Sequence, residues 1–238
     1  MTWKREIRRI KGTAPVFDSG TVYVGGDAVH AFDGASGDLQ WKYRPDEDVS
    51  FTSPPVTADG IAVVVTDDDG TTYALDTETG ELDWARRIGE DVVSRPAVTT
   101  DAVYVGTVPD NLFALDRTTG KVEWTTATGG QITDGPTVTS GSIFVRSTDT
   151  VYSIDRNEGS VGWEVVTDGR IDASPVADGD TIFVTSLDGN VYALEASNGD
   201  ERWTFSTGSK IYGAPALSDG TVYVSDDTGV RYALRRDR

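Results

Sequence analysis

The chain has 238 residues, contains no cysteine and carries a formal net charge of −18 at pH 7. The absence of cysteine excludes disulfides, thiolate catalysis and cysteine-based metal sites. A surface this acidic repels phosphate groups, which argues against a nucleic-acid partner and against an anionic membrane surface.

From the N-terminus onward, the chain has the composition of short β-strands. Each strand-like run is rich in β-branched and aromatic residues and is bounded by Gly, Asp or Ser, and no window shows a sustained helical period. The clearest runs are 21–24, 62–65, 103–105, 143–145, 182–184 and 222–224. The chain is therefore predicted to be all-β, and no apolar stretch is long enough to insert into a membrane.

Two markers recur at intervals of about 40 residues. Prolines stand at positions 15, 55, 96, 136, 175 and 215, and tryptophans at 3, 41, 84, 124, 163 and 203. In the third repeat we predict four strands, over 92–98, 102–106, 111–116 and 121–125. Four strands in about 40 residues is the size of one propeller blade.

We therefore predict a single six-bladed β-propeller domain, residues 1–238, made of four-stranded antiparallel blades. The blades are predicted at about 10–45, 50–88, 91–127, 131–167, 170–207 and 210–238 plus 1–7. The sixth repeat ends before its tryptophan, and Trp3 stands where the repeat period places the missing one. Residues 1–7 are accordingly predicted to form the outer strand of the sixth blade and close the ring. The protein is predicted to be a monomer. The alternative is a fragment of a larger ring.

One phrase ends each complete repeat, Ala-x-Asp-x-x-Thr-Gly-x-x-x-Trp, with small departures. It runs over 31–41, 74–84, 114–124, 153–163 and 193–203. The Gly supplies a positive φ, the Asp accepts turn N–H groups, and the indole is expected to dock on the neighbouring blade. This phrase resembles the tryptophan-docking motif of PQQ-like (quinoprotein-type) β-propeller repeats. The structural docking residues are therefore Trp3, Trp41, Trp84, Trp124, Trp163 and Trp203.

The resemblance implies two kinds of function, because the family includes quinoprotein alcohol dehydrogenases and BamB-type assembly scaffolds without a cofactor. The dehydrogenases use eight blades, a Trp platform, an Asp base, calcium ligands and often an adjacent-cysteine disulfide. This chain has six repeats and no cysteine. The expectation is a non-catalytic binding or assembly scaffold with no catalytic residue, cofactor or metal. The alternative is a quinone- or metal-dependent enzyme, of dehydrogenase or lactonase/hydrolase type, that uses the central channel.

Two other features invite a chemical hypothesis. His30, the only histidine, occupies the position of Tyr73 and Phe113 in other repeats, so a packing role is preferred over catalysis. The run 67–70, Asp-Asp-Asp-Gly, has carboxylates that suit calcium, but equivalent positions in other repeats have ordinary turn composition. A turn is therefore preferred here over a calcium site.

The positions where the repeats disagree are the five residues before each proline, here called the pre-proline segments. They are 10–14, 50–54, 91–95, 131–135, 170–174 and 210–214. We predict that they line one mouth of the channel. Variable segments on a rigid scaffold usually carry function, which makes them the place where a protein or a small anionic ligand would bind. The alternative is that they vary because they form a solvated rim without a ligand. The candidate binding residues are Lys11, Phe51, Arg95, Asp134, Arg170, Asp172, Lys210 and Tyr212.

The acidic composition has a second interpretation. Asp is abundant and Lys scarce, with 29 Asp and 5 Lys, which resembles proteins of salt-loving archaea. On that interpretation the charge keeps the surface hydrated in concentrated salt without any partner. Met1 runs almost directly into a strand, so a cytoplasmic location is expected by default, or export if a leader has been removed.

Overall fold

The computed structural model describes residues 3–7, 14–46, 49–51, 53–66, 70–89, 91–92 and 94–235. In this part of the chain all regular structure is β-strand, arranged in six antiparallel sheets, five of four strands and one of three. The predicted all-β fold of propeller-type blades is therefore confirmed. No helix suited to crossing a membrane is found among these residues. The chain divides into two compact units, Met1–Thr125 and Thr126–Arg238.

The first unit contains the first three blades, and the division between the units falls inside the last strand of the third. The strands are β1 Val16–Asp18, β2 Thr21–Val24, β3 Val29–Asp33, β4 Leu39–Tyr43, β5 Val56–Ala58, β6 Ile61–Val65, β7 Thr72–Asp76, β8 Leu82–Arg86, β9 Ala97–Val98, β10 Ala102–Gly106, β11 Asn111–Asp116 and β12 Val122–Ala127. In each blade consecutive strands are hydrogen-bonded neighbours.

The second unit contains the fourth, fifth and sixth blades. Its strands are β13 Thr137–Val138, β14 Ser142–Ser147, β15 Thr150–Asp155, β16 Val161–Val166, β17 Val176–Asp178, β18 Thr181–Thr185, β19 Asn190–Glu195, β20 Glu201–Ser206, β21 Ala216–Ser218, β22 Thr221–Ser225 and β23 Arg231–Arg235. The sixth blade therefore has three strands in the described part of the chain, and β23 is its outer strand.

The first strand of the third blade is shorter than the sequence predicts. In the third blade the predicted strand over 92–98 is observed only as Ala97–Val98. Pro96 precedes it and has no N–H to donate to a ladder, so pairing begins after the proline. The described residues of the pre-proline segments contain no strand, and among them Phe51 alone makes a β-bridge, to Thr66.

The core consists of blade faces packed against the next blade. Between the first two blades, Tyr23, Ala31 and Trp41 pack on residues of the second blade that include Val64 and Leu75. Strand β6 buries both of its faces in this way, which explains its continuous apolar run. Alternate side chains thus serve two different interfaces.

Residues 3–7 contain no strand, so the predicted outer strand of the sixth blade is not among the described strands. Trp3 instead lies against the first blade, with its ring centroid 6.3 Å from that of Phe32. The sixth repeat also has Arg235 where other repeats have Asp or Glu. It therefore lacks the carboxylate that caps the turn into a fourth strand in most other blades.

Candidate functional site

For four of the docking tryptophans, the structure describes an indole N–H donated to a carbonyl of the blade that follows in the chain. Trp41 Nε1 donates to the Thr77 carbonyl at 2.9 Å and Trp84 Nε1 to the Arg117 carbonyl at 2.7 Å. Trp163 Nε1 donates to the Ala196 carbonyl at 3.0 Å. Trp3 makes the same bond to the Gly34 carbonyl at 3.0 Å. Because these N–H groups are satisfied and the rings packed, they offer no stacking platform to a ligand.

A glycine of the following blade lies directly beneath each of these rings. A Cβ atom added at Gly80 would stand 2.5 Å from Trp41, and one at Gly199 would stand 2.9 Å from Trp163. Both glycines also have positive φ, 73° and 78°. The Gly of the phrase is therefore required twice, by the turn conformation and by the close approach of the indole.

The Asp of the phrase closes the turn that receives the indole. Asp76 Oδ1 accepts the N–H of Glu78 at 2.9 Å, and the N–H and hydroxyl of Thr79 at 2.7 and 2.9 Å. These bonds, led by that from the Thr79 N–H, lower the pKa of Asp76 below its ordinary value. The carboxylate is used by the turn and is not available as a catalytic base.

The fifth repeat replaces this Asp by Glu195, which pairs with Arg202. Arg202 Nε donates to Glu195 Oε2 at 2.8 Å and Arg202 Nη1 donates to Asp180 Oδ1 at 2.8 Å. Hydrogen bonds to Asp180 and Glu195 raise the pKa of Arg202. These groups form a structural ion-pair network on the blade surface.

Of the two other chemical candidates, only His30 lies among the described residues. His30 is buried and stacks on Phe32, with the ring centroids 5.9 Å apart and the planes 3° from parallel. Burial, with help from the charge of Lys42, lowers its pKa. The Asp run at 67–69 lies outside the described residues. Among the residues that the structure describes, no group of three or more metal-ligating side chains occurs.

The predicted binding residues of the first unit differ in their exposure to solvent. Lys11 lies outside the described residues. Phe51 is fully buried, 5.7 Å from Tyr73 between ring centroids, and its backbone bridges Thr66. The prediction that Phe51 is a binding residue at the channel mouth is therefore corrected, since its ring belongs to the core between two blades. Arg95 is exposed to solvent.

In the second unit, Arg170 and Asp172 form a bidentate ion pair. Arg170 Nε lies 2.6 Å from Asp172 Oδ1, and Arg170 Nη2 donates to Asp172 Oδ2 at 2.8 Å. Asp134 is held by backbone groups and accepts the N–H of Ser174 at 2.9 Å. Lys210 is exposed, and Tyr212 is 50% exposed.

A residue that the sequence analysis did not select joins this group. Arg146, in β14, lines a cavity of about 410 Å³ together with Gln131, Thr133, Thr148, Arg170 and Asp172. Equivalent strand positions in the other blades are occupied by Gly25, Val65, Gly106, Thr185 and Ser225. A charged residue at this position was therefore visible in the sequence as a departure from the repeat, but it lies outside the pre-proline segments.

The outer side of the sixth blade is the other open region of the second unit. Tyr223 is 45% exposed, whereas the equivalent Phe183 of the fifth blade is 7% exposed. A cavity of about 360 Å³ borders β23, lined by Trp203, Thr204, Phe205, Ala233, Leu234 and Arg235. Its lining comes from β20, the outer strand of the fifth blade, and from β23.

The whole chain is similar to one protein family. The family model described as outer membrane protein assembly factor BamB matches residues 1–95, 83–170 and 147–237. Comparison with curated proteins gave no significant match. Among solved structures, BamB from Moraxella catarrhalis is 20% identical with a TM-score of 0.56, covering 94% of this chain and 85% of that one. The computationally designed Ika8 protein is 16% identical with a TM-score of 0.82, covering 94% of this chain and 70% of that one. Given the family match along its full length, this chain belongs to the BamB-type family of PQQ-like repeat β-propellers.

Proposed function

We propose that this protein is a non-catalytic binding or assembly scaffold whose pre-proline segments contact a protein partner. The observation that carries the proposal is that the side chains shared by the repeats make structural contacts within the fold. The indoles and most of the phrase carboxylates are engaged in blade contacts and turns. The exposed groups that differ between repeats, such as Arg95 and Tyr212, remain for binding.

Family membership supports the same function, since the matching family is described as an assembly factor. The basic groups on these segments also favour an acidic partner segment. Arg95 and Lys210 are exposed cations on a chain with net charge −18. Their positive charge stands out from the rest of the surface and attracts carboxylates.

The test is quantitative capture of partner proteins from native extract in concentrated KCl. We expect the double variant Arg95→Ala, Arg170→Ala to capture less of each specific partner than the parent. The matched control is Lys42→Ala with Lys121→Ala, which removes the same charge from exposed positions outside the pre-proline segments. Equal capture by the parent and the Arg variant contradicts the proposed binding surface.

We also propose that residues 1–7 supply the fourth strand of the sixth blade and close a six-bladed ring. Two observations support this. Trp3 docks on the first blade as fourth-strand tryptophans dock on the blade that follows them. The sixth sheet has one strand fewer than the other five in the described residues. An unpaired edge of this kind is a site for aggregation.

Deletion of residues 1–7 tests this closing strand. We expect loss of cooperative thermal unfolding, or aggregation, because the deletion exposes the β23 edge and removes the Trp3 contact. The control is Lys4→Ala with Arg5→Ala, which keeps the backbone and removes only exposed ion pairs. Such pairs contribute at most about 1 kcal/mol. A truncated protein that melts like the parent contradicts the proposal.

A further inference from the structure

The cavity of the fourth blade contains a cation that lacks a partner. Arg146 is half-buried, and its Nε atom is buried without a hydrogen-bond partner among the described residues. Burying part of a guanidinium without hydrogen-bonding it is costly, and buried charges in proteins are normally paired. Desolvation lowers the pKa of Arg146, although a guanidinium remains charged at neutral pH.

The neighbouring carboxylates are already used by other groups. Asp172 makes both of its oxygens available to Arg170, at 2.6 and 2.8 Å. Asp134 accepts the backbone N–H groups of Gly135 at 3.1 Å and Ser174 at 2.9 Å. Both carboxylates attract Arg146 electrostatically while Arg170 repels it. Arg146, which is part of the cavity lining, consequently has no carboxylate dedicated to it among these neighbours.

The local backbone leaves room beside this side chain. The hairpin between β14 and β15 consists of Thr148 and Asp149 only, whereas the one between β18 and β19 spans 186–189. In that longer hairpin the Leu187 N–H donates to the Arg170 carbonyl at 2.8 Å, so the loop lies against its pre-proline segment. The fourth blade is shorter by two residues at this point. The cavity of about 410 Å³ opens here, with Thr148 in its lining.

We propose that this cavity binds a small, polar, singly charged carboxylate, with Arg146 as the anchor of its oxygens. A guanidinium presents paired N–H donors that match the two oxygens of a carboxylate. Gln131, Thr133 and Thr148 add amide and hydroxyl groups suited to the hydroxyls of the same ligand. The volume falls within the range of small-molecule sites, which is about 300–1,000 Å³.

The charges around the cavity favour a single negative charge on the ligand. Arg146 and Arg170 are balanced by Asp134 and Asp172, so the four groups sum to zero. A monocarboxylate can use the unpartnered donors of Arg146 with limited repulsion from the two aspartates. A doubly charged phosphate costs more to desolvate than a monocarboxylate, and these four groups have no excess positive charge to offset that cost. The inference shares its location with the proposed scaffold function, but its test needs no protein partner, so either can fail without the other.

The experiment is titration of the purified protein with sodium gluconate, followed by the ¹⁵N-edited resonance of the Arg146 Nε–H group and by the melting temperature. We expect saturable movement of that resonance and a higher melting temperature, because a ligand that binds only the folded state stabilises it. Inorganic phosphate is the comparison anion and should bind more weakly.

The variants are Arg146→Met, Arg146→Lys and the control Arg95→Met. We expect Arg146→Met to abolish the gluconate-induced rise in melting temperature and Arg146→Lys to weaken affinity about tenfold through loss of the paired donors. Arg95→Met should bind like the parent. Without ligand, Arg146→Met should melt no lower than the parent, since it removes an unpartnered buried charge. Gluconate binding that survives Arg146→Met, no saturable binding to the parent, or tighter binding of phosphate overturns the proposal.

Discussion

The fifth and sixth blades follow the same repeat pattern and differ in their surroundings. In the fifth, Phe183 and Ala193 pair across β18 and β19 and are buried, with Trp203 5.9 Å from Phe183 between ring centroids. In the sixth, the equivalent pair, Tyr223 and Ala233, is exposed. The comparison shows that the repeat specifies strands and register locally, whereas burial of a blade face depends on the element that packs against it.

The largest expected effect is a loss of stability on replacing a docking tryptophan. This loss should differ between Trp163 of the fourth blade and Trp203 of the fifth. Trp163→Ala should lower the free energy of unfolding by about 3–5 kcal/mol, because a packed ring and its bond to the Ala196 carbonyl are lost. Trp203→Ala should cost about half as much, since Trp203 borders the open cavity beside β23. Urea denaturation of both variants measures this. Equal losses would mean that Trp203 packs on the sixth blade as tightly as Trp163 packs on the fifth.

An intermediate effect on the melting temperature is expected when the ion pairs of Arg202 with Glu195 and Asp180 are removed from the fifth blade. Arg202→Met should lower the melting temperature by a few degrees in dilute salt, and by less in concentrated KCl, because Glu195 and Asp180 lose their common partner. Arg231→Met, in the sixth blade, removes an exposed guanidinium bonded to the Gly229 carbonyl and should change little. A loss for Arg202→Met that is independent of salt would refute the electrostatic explanation.

The smallest effect concerns the hairpin of the sixth blade in acid. Asp226 accepts hydrogen bonds from the Thr228 hydroxyl, from two backbone N–H groups and from the Tyr232 hydroxyl, and its pKa is lowered, chiefly by Thr228. The stabilisation by its charged form is therefore complete above the ordinary value of 3.8 and is lost as pH falls through the lower folded pKa.

We expect Asp226→Asn to be less stable than the parent at pH 7 and the difference to shrink below pH 3.8. The melting temperature measured at several pH values gives the comparison. Asp219→Asn, at an exposed turn of the same blade, is the control. A difference that stays constant down to the most acidic pH would show that the charge of Asp226 is not responsible.

Blade architecture could be predicted from the sequence because each strand carries its own local signals. The prolines and the alternating apolar residues recur in all six repeats and the Gly of the phrase in five, and the observed sheets follow them. Phe51 shows the limit of that reasoning. Its segment was grouped with the loops, but the backbone of Phe51 bridges Thr66 and buries the ring against Tyr73. That burial depends on a contact between two blades, which the local sequence does not contain.

The candidate site was predicted less completely. Arg170 and Asp172 were selected from their segment, but their mutual pairing was not foreseen, and Arg146 was not selected. Two local departures from the repeat mark it, the charged residue in β14 and the shortened hairpin with Thr148 at a φ of 58°. Neither shows by itself that the guanidinium is desolvated, since desolvation depends on how the pre-proline loops fold over it.

The bond between each indole and a carbonyl of the following blade has a genetic consequence. The donor Trp41 belongs to one repeat, and the receiving turn around Gly80 belongs to the next. A tandem duplication of about 40 residues therefore carries one donor and one acceptor wherever its ends fall, so the new copy fits both neighbours. An insertion between Asp76 and Trp84 would instead displace one indole from its turn. Such chains can gain or lose whole repeats more easily than they can tolerate short insertions in the phrase.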